Sequence, residues 1–144
     1  MLGTKFDVEV IAAGESRVFS FADGDAVFRP GDPGDEAYIV KSGKVEMRER
    51  GRAVEVVEAG EIFGELALID DEPRTALARA AGRVELVPID RATFNTLVRD
   101  DEDFAITIIH LMARSLRATM KTLEACVEDL KSASAPPPRS RASA

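Results

Sequence analysis

The chain has 144 residues, 45% of them hydrophobic, so its length and composition fit one domain with a real core. Its net charge of −7 disfavours nucleic acid as a partner, because the molecule as a whole repels phosphate backbones. A single cysteine, the lack of an apolar run of about 18 residues and the lack of an apolar signal core near Met1 predict a cytoplasmic protein that neither spans a membrane nor is secreted.

Short strands separated by glycine-rich or acidic turns are predicted from about residue 15 to residue 89. Several of them alternate apolar and polar residues, as half-buried strands do. The predicted strands are residues 17–21, 26–28, 37–40, 45–48, 53–57, 75–79 and 83–87. The predicted breaks are residues 23–25, 30–34, 42–43, 50–51 and 59–60, and each contains glycine. Many short strands with regular turns indicate an all-β barrel or roll.

Two helices are predicted after residue 89. Asp90 is expected to cap a short helix that ends near residue 99, with Phe94 and Leu97 facing inward. A long helix follows from about residue 101 to about residue 131, and it would span about 45 Å at 1.5 Å per residue. Residues 132–144 (SASAPPPRSRASA) hold no large apolar side chain, so we expect one domain over residues 1–131 and a disordered tail after it.

The long helix carries a heptad of mostly apolar side chains. Its positions are Ile109, Met112, Leu116, Thr119, Leu123, Cys126 and Leu130. A helix of this length on a small domain is too long to bury the whole stripe against its own roll. We therefore interpret the stripe as the seam of a parallel homodimer. The alternative is a stripe that packs on the roll of its own chain.

The segment of residues 61–76, EIFGELALIDDEPRTA, combines groups that suit a nucleotide. Gly64 lets the backbone approach a ligand closely, because glycine has no Cβ. Residues 65–68 are good helix formers, and the free N–H groups of a short helical turn there would attract phosphate. The planar fork of Arg74 suits phosphate, and the carboxylate of Glu65 can accept a hydrogen bond from a sugar hydroxyl. A site that binds a phosphate and a ribose hydroxyl a few ångströms apart is typical of nucleotide binding. This segment therefore predicts a nucleotide site.

The run FGELALIDDEPRTA resembles the phosphate-binding cassette of the cyclic nucleotide-binding domain family, and the glycine-punctuated residues 28–45 resemble the opening of its β-roll. The likeness covers about residues 15–130. It implies a mainly β fold with α: a double-stranded β-helix, or jelly-roll-like β-roll, followed by C-terminal helices, the last one long. It also implies a sensor or regulatory domain, not an enzyme, that binds cAMP or cGMP and couples the ligand to closure of those helices.

The resemblance also implies roles for individual residues. The cyclic phosphate would lie on the helix start at residues 64–67, with Arg74 on its exocyclic oxygens and Glu65 accepting the ribose 2′-hydroxyl. Backbone N–H groups of Thr75 and Ala76 would complete the cradle. The implied ligand-binding residues are Phe63, Gly64, Glu65, Leu66, Ala67, Arg74, Thr75, Ala76 and Thr119.

The base preference stays open at this level. The resemblance implies that the hydroxyl of Thr75 can contact guanine, but a threonine at this position is also compatible with adenine. Of the two ligands, cAMP is favoured. Thr119 on the long helix matches a threonine that contacts adenine in the family. Ser115 and Met120 depart from the family's pattern on the same helix, so an apolar lid over the base is as plausible as a polar one.

Other classes of function find less support in the residues. His110 is the single histidine, which disfavours a metal centre, and Cys126 has no histidine at a spacing that suits a nucleophile. We expect no cofactor other than the ligand, and no DNA binding, because no helix-turn-helix follows the long helix. An effector protein regulated by the domain is a possible partner. The second class is a roll that dimerises without nucleotide, which the intact set of Gly64, Glu65, Arg74 and Thr75 disfavours.

Overall fold

The computed structural model describes residues 17–134, which contain six strands and three helices. The strands are β1 (Phe19–Phe21), β2 (Ala26–Phe28), β3 (Glu36–Glu49), β4 (Arg52–Glu58), β5 (Ile62–Phe63) and β6 (Leu77–Asp90). The helices are α1 (Leu66–Asp70), α2 (Arg91–Asp100) and α3 (Glu102–Ser134). A mainly β fold followed by helices, the last one long, is therefore confirmed.

All six strands join one antiparallel sheet, built around the two long strands β3 and β6. The order is β1-β6-β3-β4, with β2 also paired to β6 and β5 also paired to β3. The β3–β6 ladder runs from Glu36 opposite Asp90 to Arg48 opposite Leu77. The short strands β1, β2 and β5 all pair with β3 or β6, so the two long strands hold them in place.

One predicted break, at residues 42–43, and one predicted gap between strands, at residues 80–82, are wrong. Residues 37–40 and 45–48 belong to the one strand β3, and residues 75–79 and 83–87 fall largely within the one strand β6. The register shifts between Val40 and Ser42 and again between Ser42 and Lys44, so β3 bends at this point without ending. The two-residue strand β5 was not predicted, since two residues are too few to show an alternating pattern.

The core lies between the bent strands and contains mostly branched aliphatic and aromatic side chains. Its buried members are Phe28, Val40, Val45, Val57, Phe63, Ala78, Ala80, Val84 and Leu86. Phe28 on β2 and Phe63 on β5 are members of this core, and Phe63 directly precedes Gly64, so the core reaches the segment that carries the predicted nucleotide site.

Helix α2 begins as the sequence predicts. The side chain of Asp90 accepts a hydrogen bond of 2.7 Å from the backbone N–H of Thr93, and this bond lowers the pKa of Asp90. Phe94 is buried and meets Phe104 edge-on at 5.7 Å between ring centres, while Leu97 is half-buried. The predicted cap and inward face of this helix are therefore confirmed.

The described chain divides after Thr107 into two compact units. The first holds the sheet, α1, α2 and the start of α3, and the second is the remainder of α3. Every position of the predicted heptad is exposed, and the large apolar ones range from Met112 at 39% to Leu130 at 68%. The helix ends at Ser134, three residues beyond its predicted end, and residues 135–144 of the predicted tail lie outside the described residues. Among residues 17–134, no helix combines the length and apolar character that a membrane crossing requires.

Candidate ligand-binding site

A tight loop and the short helix α1 follow strand β5. Gly64 has a φ of 78°, a backbone conformation that favours glycine, and a Cβ at this position would lie 2.8 Å from Nη1 of Arg74, so a larger residue would displace that guanidinium. Glu65 stands before α1 with helical backbone angles and makes no side-chain cap. Leu66 is 49% exposed, whereas Ala67 is buried. The predicted short turn of helix at residues 65–68 is confirmed for residues 66–68, which form the first part of α1, with Glu65 as its N-cap.

The loop between β2 and β3 forms the opposite wall of the site. A Cβ on Gly34 would lie 2.2 Å from the Cβ of Ala67 and 3.2 Å from Nε of Arg74. Only glycine therefore lets this loop pack against α1. Two backbone hydrogen bonds of 2.8 Å hold the loop in place: the N–H of Gly31 donates to the carbonyl of Arg74, and the N–H of Arg74 donates to the carbonyl of Asp32.

Arg74 is buried, with 6% of its surface exposed. Its Nη1 donates to the carbonyl of Gly64 at 2.6 Å, and its Nη2 donates to the carbonyl of Glu36. The guanidinium carbon lies 4.2 Å from the centre of the Phe28 ring, which is a cation–π contact. Burial lowers the pKa of Arg74, because desolvation disfavours the charged form, and nearby acidic groups oppose this shift. These contacts fix the direction of the guanidinium plane.

The third nitrogen of this guanidinium, Nε, differs from the other two in its hydrogen bonding. The Nε of Arg74 is buried and has no hydrogen-bond partner within residues 17–134. A buried N–H of a charged group that lacks a partner costs about 1–3 kcal/mol or more. An anionic oxygen is the acceptor that suits it best, because a charged donor and a charged acceptor make the stronger hydrogen bonds.

Glu65 provides the second polar group of the site. Its side chain is half-buried, and desolvation raises its pKa to about 7, with its own backbone N–H and Arg74 opposing the shift. Near neutral pH this carboxyl is therefore present in both protonation states. In its ionised form it accepts hydrogen bonds only, which suits a ligand hydroxyl.

Aromatic rings form the apolar base beneath Arg74. Tyr38 stacks on Phe63 at 5.5 Å between ring centres, and Phe28 lies 6.0 Å from Phe63. Burial raises the pKa of Tyr38 above its ordinary value, because desolvation disfavours the phenolate. Phe63 is 3% exposed, which places its side chain in the core, under the site.

The structure brings most of the predicted site residues together, and it adds others. Ala76 is buried and Thr75 is exposed, both directly after Arg74. Thr119 is exposed on α3 in the second unit, so its role stays a prediction. Sequence reasoning missed the steric role of Gly34 and the carbonyl of Glu36. The cluster of proline and glycine at residues 30–34 was the available signal for the first, and none was available for the second.

A cavity of about 180 Å³ opens beside α1. Residues 33–35 line one side and residues 71–73 line the other, with Ala67 and Arg91 completing the wall. The cavity is therefore bounded by the same loop and helix that enclose Arg74.

A buried guanidinium with one N–H that is unpartnered within the described part of the chain, beside a short helix and a half-buried carboxyl, is an arrangement that can hold a small anionic ligand. The family model described as "Cyclic nucleotide-binding domain" matches residues 18–101. This chain belongs to that family, and it is a regulatory-type domain of the kind found in CRP-like regulators and in regulatory subunits of protein kinase A.

Individual relatives agree with this membership. The chain is 34% identical over 108 residues to the CRP-like cAMP-activated global transcriptional regulator of Mycobacterium tuberculosis, covering 72% of this chain and 48% of that protein. It is 36% identical over 86 residues to a cAMP-dependent protein kinase regulatory subunit of Dictyostelium discoideum, covering 54% and 26%. The chain thus spans half or less of the length of these curated relatives.

A solved structure shows the same fold. The catabolite activator protein of Thermus thermophilus aligns with a TM-score of 0.73 and 30% identity, covering 83% of this chain and 58% of that one. The predicted β-roll followed by C-terminal helices is confirmed by this likeness.

Proposed function

We propose that this chain binds cAMP in a cradle formed by residues 64–67 and 74–76. The observation that carries the proposal is the buried guanidinium of Arg74, whose Nε has no hydrogen-bond partner within residues 17–134. An exocyclic phosphate oxygen supplies the missing acceptor and compensates the buried charge. The relatives named as cAMP-activated and cAMP-dependent favour adenine over guanine in the ligand.

Glu65 is the proposed partner of the ribose 2′-hydroxyl. Its carboxyl is half-buried and stands directly before α1, whose first residues belong to the cradle. Because the hydroxyl is a donor and the ionised carboxylate is only an acceptor, the pair is complementary. Thr75 and Ala76 add backbone N–H groups beside Arg74. Thr119 is the proposed contact to the base.

The proposed output is regulatory and not catalytic. Ligand binding favours a state in which the helices after the sheet close over the base, and the shift is limited by the ligand's different affinity for the two states. A regulated effector protein is the proposed recipient of this change.

A homodimer through α3 is the proposed assembly. The heptad positions of α3 are exposed, including Leu116 and Leu123 at 61% each, and a spacing of three and four residues suits a parallel seam. A domain that dimerises in this way without binding nucleotide is the second candidate, and the exposed heptad favours it equally.

Calorimetric titration of nucleotide-free protein separates these candidates. We expect cAMP to bind with a micromolar or lower dissociation constant, cGMP to bind more weakly, and 2′-deoxy-cAMP to lose about tenfold or more because Glu65 then lacks its hydroxyl donor. Inorganic phosphate serves as the control for a simple anion site. Folded, empty protein that binds neither cyclic nucleotide would leave the dimerising module as the function.

A further inference from the structure

Arg91, the first residue of α2, reaches the far end of α1. Its Nη1 donates to the carbonyl of Leu68 at 3.0 Å and lies 2.6 Å from Oδ1 of Asp71. Leu68 lies within α1, and Asp71 is the residue at which α1 ends, with a left-handed φ of 56. One guanidinium nitrogen therefore joins the end of α1 to the start of α2.

The position of this arginine is unfavourable for its own helix and favourable for the other one. A cation at the first position of a helix opposes the helix dipole, whereas a cation at the end of a helix complements it. The last carbonyls of a helix also lack partners within the helix. The N–H of Glu72, which could continue α1, donates instead to the side chain of Asp70 at 3.0 Å. The charge of Arg91 thus stabilises the end of α1 and does not stabilise the start of α2.

We infer that Arg91 is a positioning residue that transmits ligand binding from the cradle to α2, through its contacts with Leu68 and Asp71. The inference rests on the proposed binding of cAMP in the cradle. Helix α1 has five residues, so its first residues, which belong to the cradle, and its last residues move together. A ligand that fixes the start of α1 thereby fixes the carbonyl and the carboxylate that hold Arg91. Since α3 begins at Glu102, directly after α2 and Asp101, this contact lies at the entry to the C-terminal helices.

Hydrogen exchange measured by mass spectrometry, with and without saturating cAMP, tests the inference on the full chain. In the wild type we expect cAMP to slow exchange both in residues 64–76 and in α2. In Arg91→Gln we expect the slowing in residues 64–76 to remain. The factor by which cAMP slows exchange in α2 should fall by about threefold to fivefold, which corresponds to the energy of one exposed ion pair. Arg91→Lys, which keeps a cation, should retain part of it.

The matched control is Arg99→Gln, which removes the same charge from the same helix. Arg99 pairs with its neighbour Asp100 and, within residues 17–134, makes no hydrogen bond or ion pair to α1, so the response of α2 to cAMP should be unchanged. Asp71→Asn supplies a second variant in case Arg91→Gln does not fold, because Asp71 is 75% exposed and asparagine tolerates a left-handed backbone. It should weaken the response of α2 in the same direction.

The outcomes distinguish the two proposals. Equal slowing in α2 of the wild type and of both Arg91→Gln and Asp71→Asn would overturn the role of Arg91 and leave cAMP binding intact. Slowing confined to residues 64–76 in the wild type would also overturn it. No slowing anywhere in the wild type would overturn the proposed function, and the inference with it.

Discussion

Replacement of Arg74 by alanine removes the group on which the proposed phosphate site depends. The side chain is 6% exposed, and its Nε has no hydrogen-bond partner within residues 17–134. Truncation of one member of a buried, hydrogen-bonded charge pair costs about 2–5 kcal/mol. At about 1.4 kcal/mol for each factor of ten, the dissociation constant for cAMP should rise by about 30-fold to 3,000-fold.

The assay is calorimetric titration of nucleotide-free protein with cAMP. Arg79→Ala is the matched control, because Arg79 lies on β6 five residues away, is 43% exposed and pairs with Glu46. Arg74→Ala also removes the bonds to the carbonyls of Gly64 and Glu36, so thermal unfolding without ligand must establish that the variant is folded. Arg74→Lys keeps a cation without the planar fork and should give an intermediate affinity. An unchanged dissociation constant in folded Arg74→Ala would refute the reasoning.

Three further predictions concern the loop that holds Gly34, the half-buried carboxyl of Glu65 and the long helix α3. Gly34→Ala should weaken cAMP binding and lower the melting temperature, since its Cβ would lie 2.2 Å from that of Ala67; unchanged values for both would contradict the packing. Burial raises the pKa of Glu65 to about 7, so the folded chain keeps a proton that the unfolded chain releases near pH 4.5. The unliganded protein should therefore lose stability as pH rises from about 4.5 to about 7, and chemical unfolding should show a flatter profile for Glu65→Gln; equal profiles would exclude this shift. Leu116→Glu should shift sedimentation from dimer to monomer while Ala118→Glu, off the heptad, does not, and an equal effect of both would count against the seam.

Local signals in the sequence were enough for the helices and for part of the site. The carboxylate of Asp90 acts on a backbone group three residues away, so its cap can be read from neighbouring letters. Gly64, Glu65 and Arg74 lie within one short segment, where the motif itself indicates their chemistry. The exposed heptad of α3 is likewise a pattern along one element.

Contacts between distant segments were beyond sequence reasoning. The carbonyl of Glu36 that accepts from Arg74 is 38 residues away in the chain, and nothing in the letter sequence marks a carbonyl. The pair Ser42 and Gly43 predicts a break between two strands, although β3 pairs with β6 on both sides of Gly43. The pairing energy of the long ladder outweighs the local preference for a turn there, which is a tertiary effect.

The shortness of α1 means that the proposed binding segment cannot be separated from the rest of the domain. Five residues are far fewer than the roughly 12–15 that an isolated helix needs in water. It packs closely against Gly34, which lies on a different loop, and its Leu68 carbonyl accepts a hydrogen bond from Arg91, which lies on a different helix. A synthetic peptide of residues 61–76, or a graft of those residues onto another scaffold, would carry the motif without the geometry. An engineered sensor would have to retain the loop, the sheet and the first turn of α2 together.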